Sequence, residues 1–250
     1  MKRTIPIRFC YIAVFIFLLQ NISSQQKVNF YAADSLKVTA DLYLKNYNFP
    51  FILLFHQDGA SRGEYREIAR KLLNLDYNCL AVDLRSGGEI NYIRNETNER
   101  AELKKVKHEQ KDAIKDINAS IDYINNISKK KVILFGSSYS ASLCMIVGNG
   151  NPKVCAVIAF SPGEHFKPWL TVKDNLREFD KPVFVATTLS EYDYVVNMLE
   201  TIPDKYKTIF KPKNGEGLQG AKALWDSNKS NDEYWLELFI FFKKLKEDDL

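Results

Sequence analysis

The sequence predicts a three-layer α/β fold, a mainly parallel sheet of eight strands with helices on both faces. Four apolar runs, residues 51–55, 79–82, 132–135 and 154–160, lack the two-residue alternation of a sheet with one wet face. Strands covered on both sides read this way. Helical patterns separate them, and such alternation implies parallel strands joined by crossovers. The chain also lacks a Pro/Gly/Ser-rich linker, an internal repeat or a low-complexity tract, so one domain accounts for it.

In chain order, Lys2, Arg3 and Arg8 precede an apolar run over residues 9–19 and a small polar stretch, Asn21-Ile22-Ser23-Ser24-Gln25. A basic start, an apolar centre and a polar exit have the form of a secretory leader over residues 1–25, leaving a mature domain of residues 26–250. The competing reading is a membrane anchor, but the run falls well short of the roughly 20 residues a span requires. Export to a periplasmic or extracellular location, without a stable membrane anchor, is the expectation.

Residues 28–31 and 38–44 predict two antiparallel strands around the turn-prone Ala33-Asp34-Ser35. After the strand at 51–55, Ser61 and Glu64 have the spacing of a capping box ahead of Tyr65, Ile68, Ala69 and Leu72, which share a helix face. Ile114, Ile117, Ile121 and Ile124 form the stripe of a second helix before the strand at 132–135. Strands at 183–186 and 206–210 follow, and Trp235, Phe239, Phe242 and Leu245 predict the buried face of a C-terminal helix. Asp232 and Glu233 in its first turn and lysines near its end suit the helix dipole.

The 250 residues are 46% hydrophobic and 26% charged, with 16 Phe and 13 Tyr to fill a core. The net charge of +4 falls to about +1 without the leader, which argues against a nucleic-acid partner. The lysines of 104–111 and 129–131 read as a solvated helix face and a strand entrance. Cys79, Cys144 and Cys155 lie in apolar surroundings at no metal-like spacing. Buried thiols are expected, with room for at most one disulfide and no zinc site. No phosphate loop, metal cluster or dinucleotide fingerprint is present in the sequence, so no cofactor is expected.

In a parallel sheet, ligands bind beyond the C-terminal strand ends. There, after residues 132–135, comes Gly136-Ser137-Ser138-Tyr139-Ser140 and then a helical run to Val147. The pattern is G-x-S-x-G with Ser140 in the last position. A sharp strand-to-helix turn would expose the Ser138 hydroxyl at a helix N-terminus and aim the Tyr139 amide at a developing oxyanion. An ordinary helix cap is the competing reading of such a string.

Three segments carry a family resemblance: Leu53-Leu-Phe-His-Gln-Asp-Gly-Ala-Ser61, Ala81-Val-Asp-Leu-Arg-Ser-Gly-Gly88 and Leu134-Phe-Gly-Ser-Ser-Tyr-Ser140. Together they resemble α/β hydrolases of the dienelactone-hydrolase-like or small serine esterase type. The resemblance implies that His56 is a structural histidine of the loop after the third strand and that the Asp58 amide is the second oxyanion donor. It implies an acid after the strand at 183–186, where Asp193 is the first choice and Glu191 the alternative. It implies a histidine after the last strand, where this chain has Gln219-Gly220. The short segment 161–180 leaves no room for a large lid.

A glutamine amide cannot take the serine proton at neutral pH as imidazole does. Of the other histidines, His108 lies in a charged stretch that predicts solvent exposure, and His165 follows a strand end on the functional side. General-base catalysis supplies roughly 10²–10⁴-fold, and a triad lacking a member retains about 10³–10⁴-fold over water. A weak hydrolase of a small acyl substrate and a non-catalytic binder on the same scaffold are both expected outcomes.

Overall fold

The computed structural model describes residues 24–247. The expected leader lies outside them except for its last residues, and the expected cleavage zone coincides with the start of the first strand. The described residues form ten strands: β1 Ser24–Tyr31, β2 Lys37–Leu44, β3 Phe51–Phe55, β4 Asn78–Val82, β5 Glu89–Ile90, β6 Ile93–Arg94, β7 Val132–Ser137, β8 Val154–Phe160, β9 Val183–Ala186 and β10 Lys207–Phe210. The helices are α1 Arg66–Asn74, α2 Glu96–Leu103, α3 Ile114–Ile127, α4 Tyr139–Gly148, α5 Val172–Asn175, α6 Tyr192–Met198 and α7 Asn231–Glu247.

Eight strands form one sheet in the order β1-β2-β4-β3-β7-β8-β9-β10, and β5 and β6 make a separate small ribbon. β2 pairs antiparallel with β1 and β4, and every other pair in the large sheet is parallel. The apolar runs are buried throughout because alternate residues feed two cores. Leu53, Leu134 and Val157 join the cluster under α3 and α4, whereas Leu54, Phe135 and Ile158 join the one under α1 and α7. Between β8 and β9 stands only the four-residue α5, with no inserted lid domain.

Three sequence expectations shift. The buried face of α7 is Tyr234, Leu238, Phe241, Phe242 and Leu245, while Phe239 is 51% exposed. Trp235 is drawn to the helix flank, where its Nε1 donates to the Leu224 carbonyl at 2.9 Å. Ser61 caps a 3-10 turn over Arg62–Tyr65 through the Gly63 amide, but the Glu64 carboxylate points elsewhere. Helix α2 carries no apolar stripe because it buries only Thr97 and Ala101. Cys79, Cys144 and Cys155 are buried and unpaired. No helix among the described residues is long and apolar enough to cross a membrane.

Candidate active site

β7 delivers the chain into a turn at Ser138, with φ 58° and ψ −122°, directly before α4. A non-glycine residue rarely takes positive φ, and holding one there costs on the order of 1–3 kcal/mol that the surroundings must offset. They do so with specific contacts. The Ser138 amide donates to the Phe160 carbonyl at 2.8 Å. Gly136 lies so close to the start of α4 that an added Cβ would overlap Ser140 and Ala141. Ser140 is held by its hydroxyl, which donates to the Phe55 carbonyl at 2.7 Å and accepts from the Ser137 amide at 2.9 Å. The buried Tyr139 ring reaches across to donate to the Ser86 carbonyl at 3.0 Å. Ser138 is half-buried, and its hydroxyl caps no amide of α4.

The loop after β3 faces this turn. His56 is fully buried, and both ring nitrogens are engaged: Nδ1 lies 2.7 Å from the Gln57 carbonyl, and Nε2 accepts from the Leu84 amide at 2.9 Å. Burial pushes its pKa down to about 4, so the imidazole is neutral and structural, with Nδ1 the protonated nitrogen. The Gln57 amide is occupied by the Glu64 carboxylate at 2.8 Å. Asp58, at the exposed tip, carries the next amide along the loop.

Beyond β9 the two candidate acids separate. Asp193 is exposed on the first turn of α6, and its carboxylate makes no hydrogen bond or ion pair among the described residues. Glu191 turns inward and accepts from the Ser161 hydroxyl at 2.7 Å and the Thr188 amide at 3.0 Å. Ser161 in turn accepts from the Gly220 amide at 3.0 Å. Gln219 therefore stands beside a docked backbone, although its own side chain is exposed. Gly220, at φ 70°, has no alternative there, since a Cβ would overlap the Ser137 hydroxyl.

Two other histidines are accounted for. His108 is exposed. His165 lies at the rim of a cleft of about 450 Å³ that also contains Asp58, Ser86, Lys111 and Trp169.

Sequence reasoning missed Glu64. Its carboxylate is fully buried and accepts from the Gln57 amide at 2.8 Å and from the Ser137 hydroxyl at 2.7 Å. Ser137 Oγ also accepts from the Ala221 amide at 2.8 Å. Burial pushes the Glu64 pKa up to about 7, opposed by these hydrogen bonds and by Lys222. A glutamate three residues after a serine looks the same in sequence whether it caps a helix or turns into the core. Among the described residues, no group of three potential metal ligands is present.

A parallel sheet that presents a strained serine at a helix N-terminus defines an α/β hydrolase. The chain belongs to the dienelactone hydrolase family, whose profile matches residues 40–207. Solved structures share the fold at low identity. The dienelactone hydrolase from Anabaena variabilis is 16% identical with a TM-score of 0.66, over 88% of this chain and 97% of that one. The esterase Pf2001 from Pyrococcus furiosus is 15% identical with a TM-score of 0.64, over 88% and 90%. DcsB, solved in complex with its substrate analogue, is 13% identical with a TM-score of 0.67, over 88% and 99%. No curated protein matches the chain by sequence.

Proposed function

We propose that this protein is an exported serine hydrolase of small carboxylic esters or related acyl compounds, slow because its base position holds a glutamine. Ser138 attacks the carbonyl carbon, and the Tyr139 and Asp58 amides bind the oxyanion. Asp58 is preferred to Gln57 because the Gln57 amide is committed to Glu64. Glu191 takes the acid position in preference to Asp193, because it turns inward onto Ser161, which also holds the Gly220 amide, and Asp193 faces solvent. Gln219 fills the base position and can hydrogen-bond a substrate, but it cannot accept the serine proton. Residues 1–25 act as the export leader, so the secreted chain begins near residues 24–26.

The observation that carries the proposal is the positive φ of Ser138, a strained backbone that an ordinary helix cap does not need. A fluorophosphonate probe tests it, because phosphonylation of the hydroxyl expels fluoride and marks the residue. Ser138 is expected to be labelled, and Ser138→Ala to remain unlabelled. Equal labelling of both proteins would end the assignment.

Gln219 also favours a second reading, a binding protein on a hydrolase scaffold. Hydrolysis of short aryl esters that disappears in Ser138→Ala would exclude it.

A further inference from the structure

The loops that build the site have separate origins in the chain, yet two of them meet on one buried carboxylate. Glu64 bonds the oxyanion-side loop directly, through the Gln57 amide. It bonds the loop of the base position indirectly, because Ser137 Oγ donates to Glu64 at 2.7 Å and accepts from the Ala221 amide at 2.8 Å. Ser137 is also the residue immediately before the nucleophile. A single side chain thus touches the turn and the loop that carries Asp58, and reaches the loop that carries Gln219 through Ser137.

We infer that Glu64 is a positioning residue, whose ionised carboxylate holds these two loops against the Ser138 turn and whose protonation loosens them. The inference rests on the assignment of Ser138 as nucleophile and adds a group that does not touch the substrate. Ionised, Glu64 offers only acceptors, and both donors aimed at it are satisfied. Protonated, it must itself donate. Ser137 Oγ is then the nearby acceptor, and the Ser137 hydroxyl loses its own. Charge-assisted bonds become neutral ones of about half the strength.

The groups around Glu64 fix where this happens. Among the described residues, the cation acting on it is the Lys222 ammonium, from the 3-10 turn Gly220–Leu224, which favours the ionised form. The phenols of Tyr65 and Tyr139 also face it, but burial raises both well above their usual range, so they stay neutral. Burial therefore dominates, and the carboxyl titrates near neutral pH.

The backbone amide resonances of Gln57 and Ala221 in the folded full-length protein read this directly, followed from pH 5 to pH 9. Both are expected to shift together with a midpoint near 7, and the shared step is expected to vanish in Glu64→Gln, which keeps the shape but not the charge. Ser137→Ala, which spares the carboxylate, is expected to abolish the step at Ala221 and leave it at Gln57. A step that survives Glu64→Gln, or an Ala221 step indifferent to Ser137→Ala, overturns the inference. In parallel, the rate of fluorophosphonate labelling at Ser138 is expected to rise about fivefold through the same midpoint, the scale of one hydrogen bond. Absence of labelling at every pH would defeat the nucleophile assignment, while the amide titrations would still decide the role of Glu64.

Discussion

Gln219 is the residue at which the site departs from its family resemblance, and its surroundings say what restoring an imidazole would do. The backbone beside it is docked twice, by Gly220 on Ser161 and by Ala221 on Ser137. A histidine at 219 would thus enter a framed position, with the Glu191 carboxylate one serine away. Gln219→His is expected to raise the ester hydrolysis rate by about 10²-fold or more, the low end of what general-base catalysis supplies. Turnover of a short aryl ester, compared with the same change in a Ser138→Ala background, measures it; no gain would mean that Glu191 cannot leave Ser161 to orient the ring. At this scale the sequence was legible where chemistry imposes a motif. The turn at Ser138 and Tyr139 was readable because a strand, small residues and a helix must follow in that order. The inward turn of Glu191 rather than Asp193 was not, since two acids two residues apart at a helix start carry the same signal until the helix phase is known.

Among the elements, strands were read better than helices. Residues 51–55 and 132–135 are buried on both faces and needed no phase. An amphipathic helix needs one, and in α7 the aromatic and aliphatic residues crowd so densely that several stripes compete. Leu238 and Phe239 separate the alternatives, because one is fully buried and the other is half-exposed. Leu238→Ala is expected to cost about 2–5 kcal/mol, the usual range for a truncated core leucine. Phe239→Ala is expected to fall within about 0.5 kcal/mol of wild type. Urea denaturation of both variants decides the matter, and a reversal of their order would return the stripe to Trp235 and Phe239. Helix α2 left no trace for the opposite reason. It is anchored by polar contacts, such as the Thr97 hydroxyl accepting from the Thr39 amide at 2.9 Å, which periodicity cannot register.

The whole molecule carries several buried ionisable groups, and two of them make its stability depend on pH in opposite senses. Arg85 illustrates how others are neutralised, with its guanidinium fully buried against Asp116 and paired at its outer end with Asp34. Among the described residues, Glu64 and His56 have no such ion-pair partner. The His56 pKa falls from 6.5 to about 4 on folding, so its contribution is present above pH 6.5 and is lost as the pH drops toward 4. The Glu64 pKa rises from 4.5 to about 7, so its contribution is full below pH 4.5 and is lost as the pH climbs to 7. Between pH 4.5 and 6.5 the two slopes oppose each other, which hides both in a wild-type profile. A glutamine at 64 does not titrate, and the difference between Glu64→Gln and wild type therefore isolates the carboxyl. That difference is expected to move in favour of the variant by ~3 kcal/mol as the pH rises from 4.5 to 7, at about 1.36 kcal/mol per pK unit. Urea unfolding of both proteins at pH 5, 6, 7 and 8 would show it. Parallel profiles would mean that water or a rearranged Ser137 relieves the buried charge, and that the carboxylate joining the two loops costs the fold little to ionise.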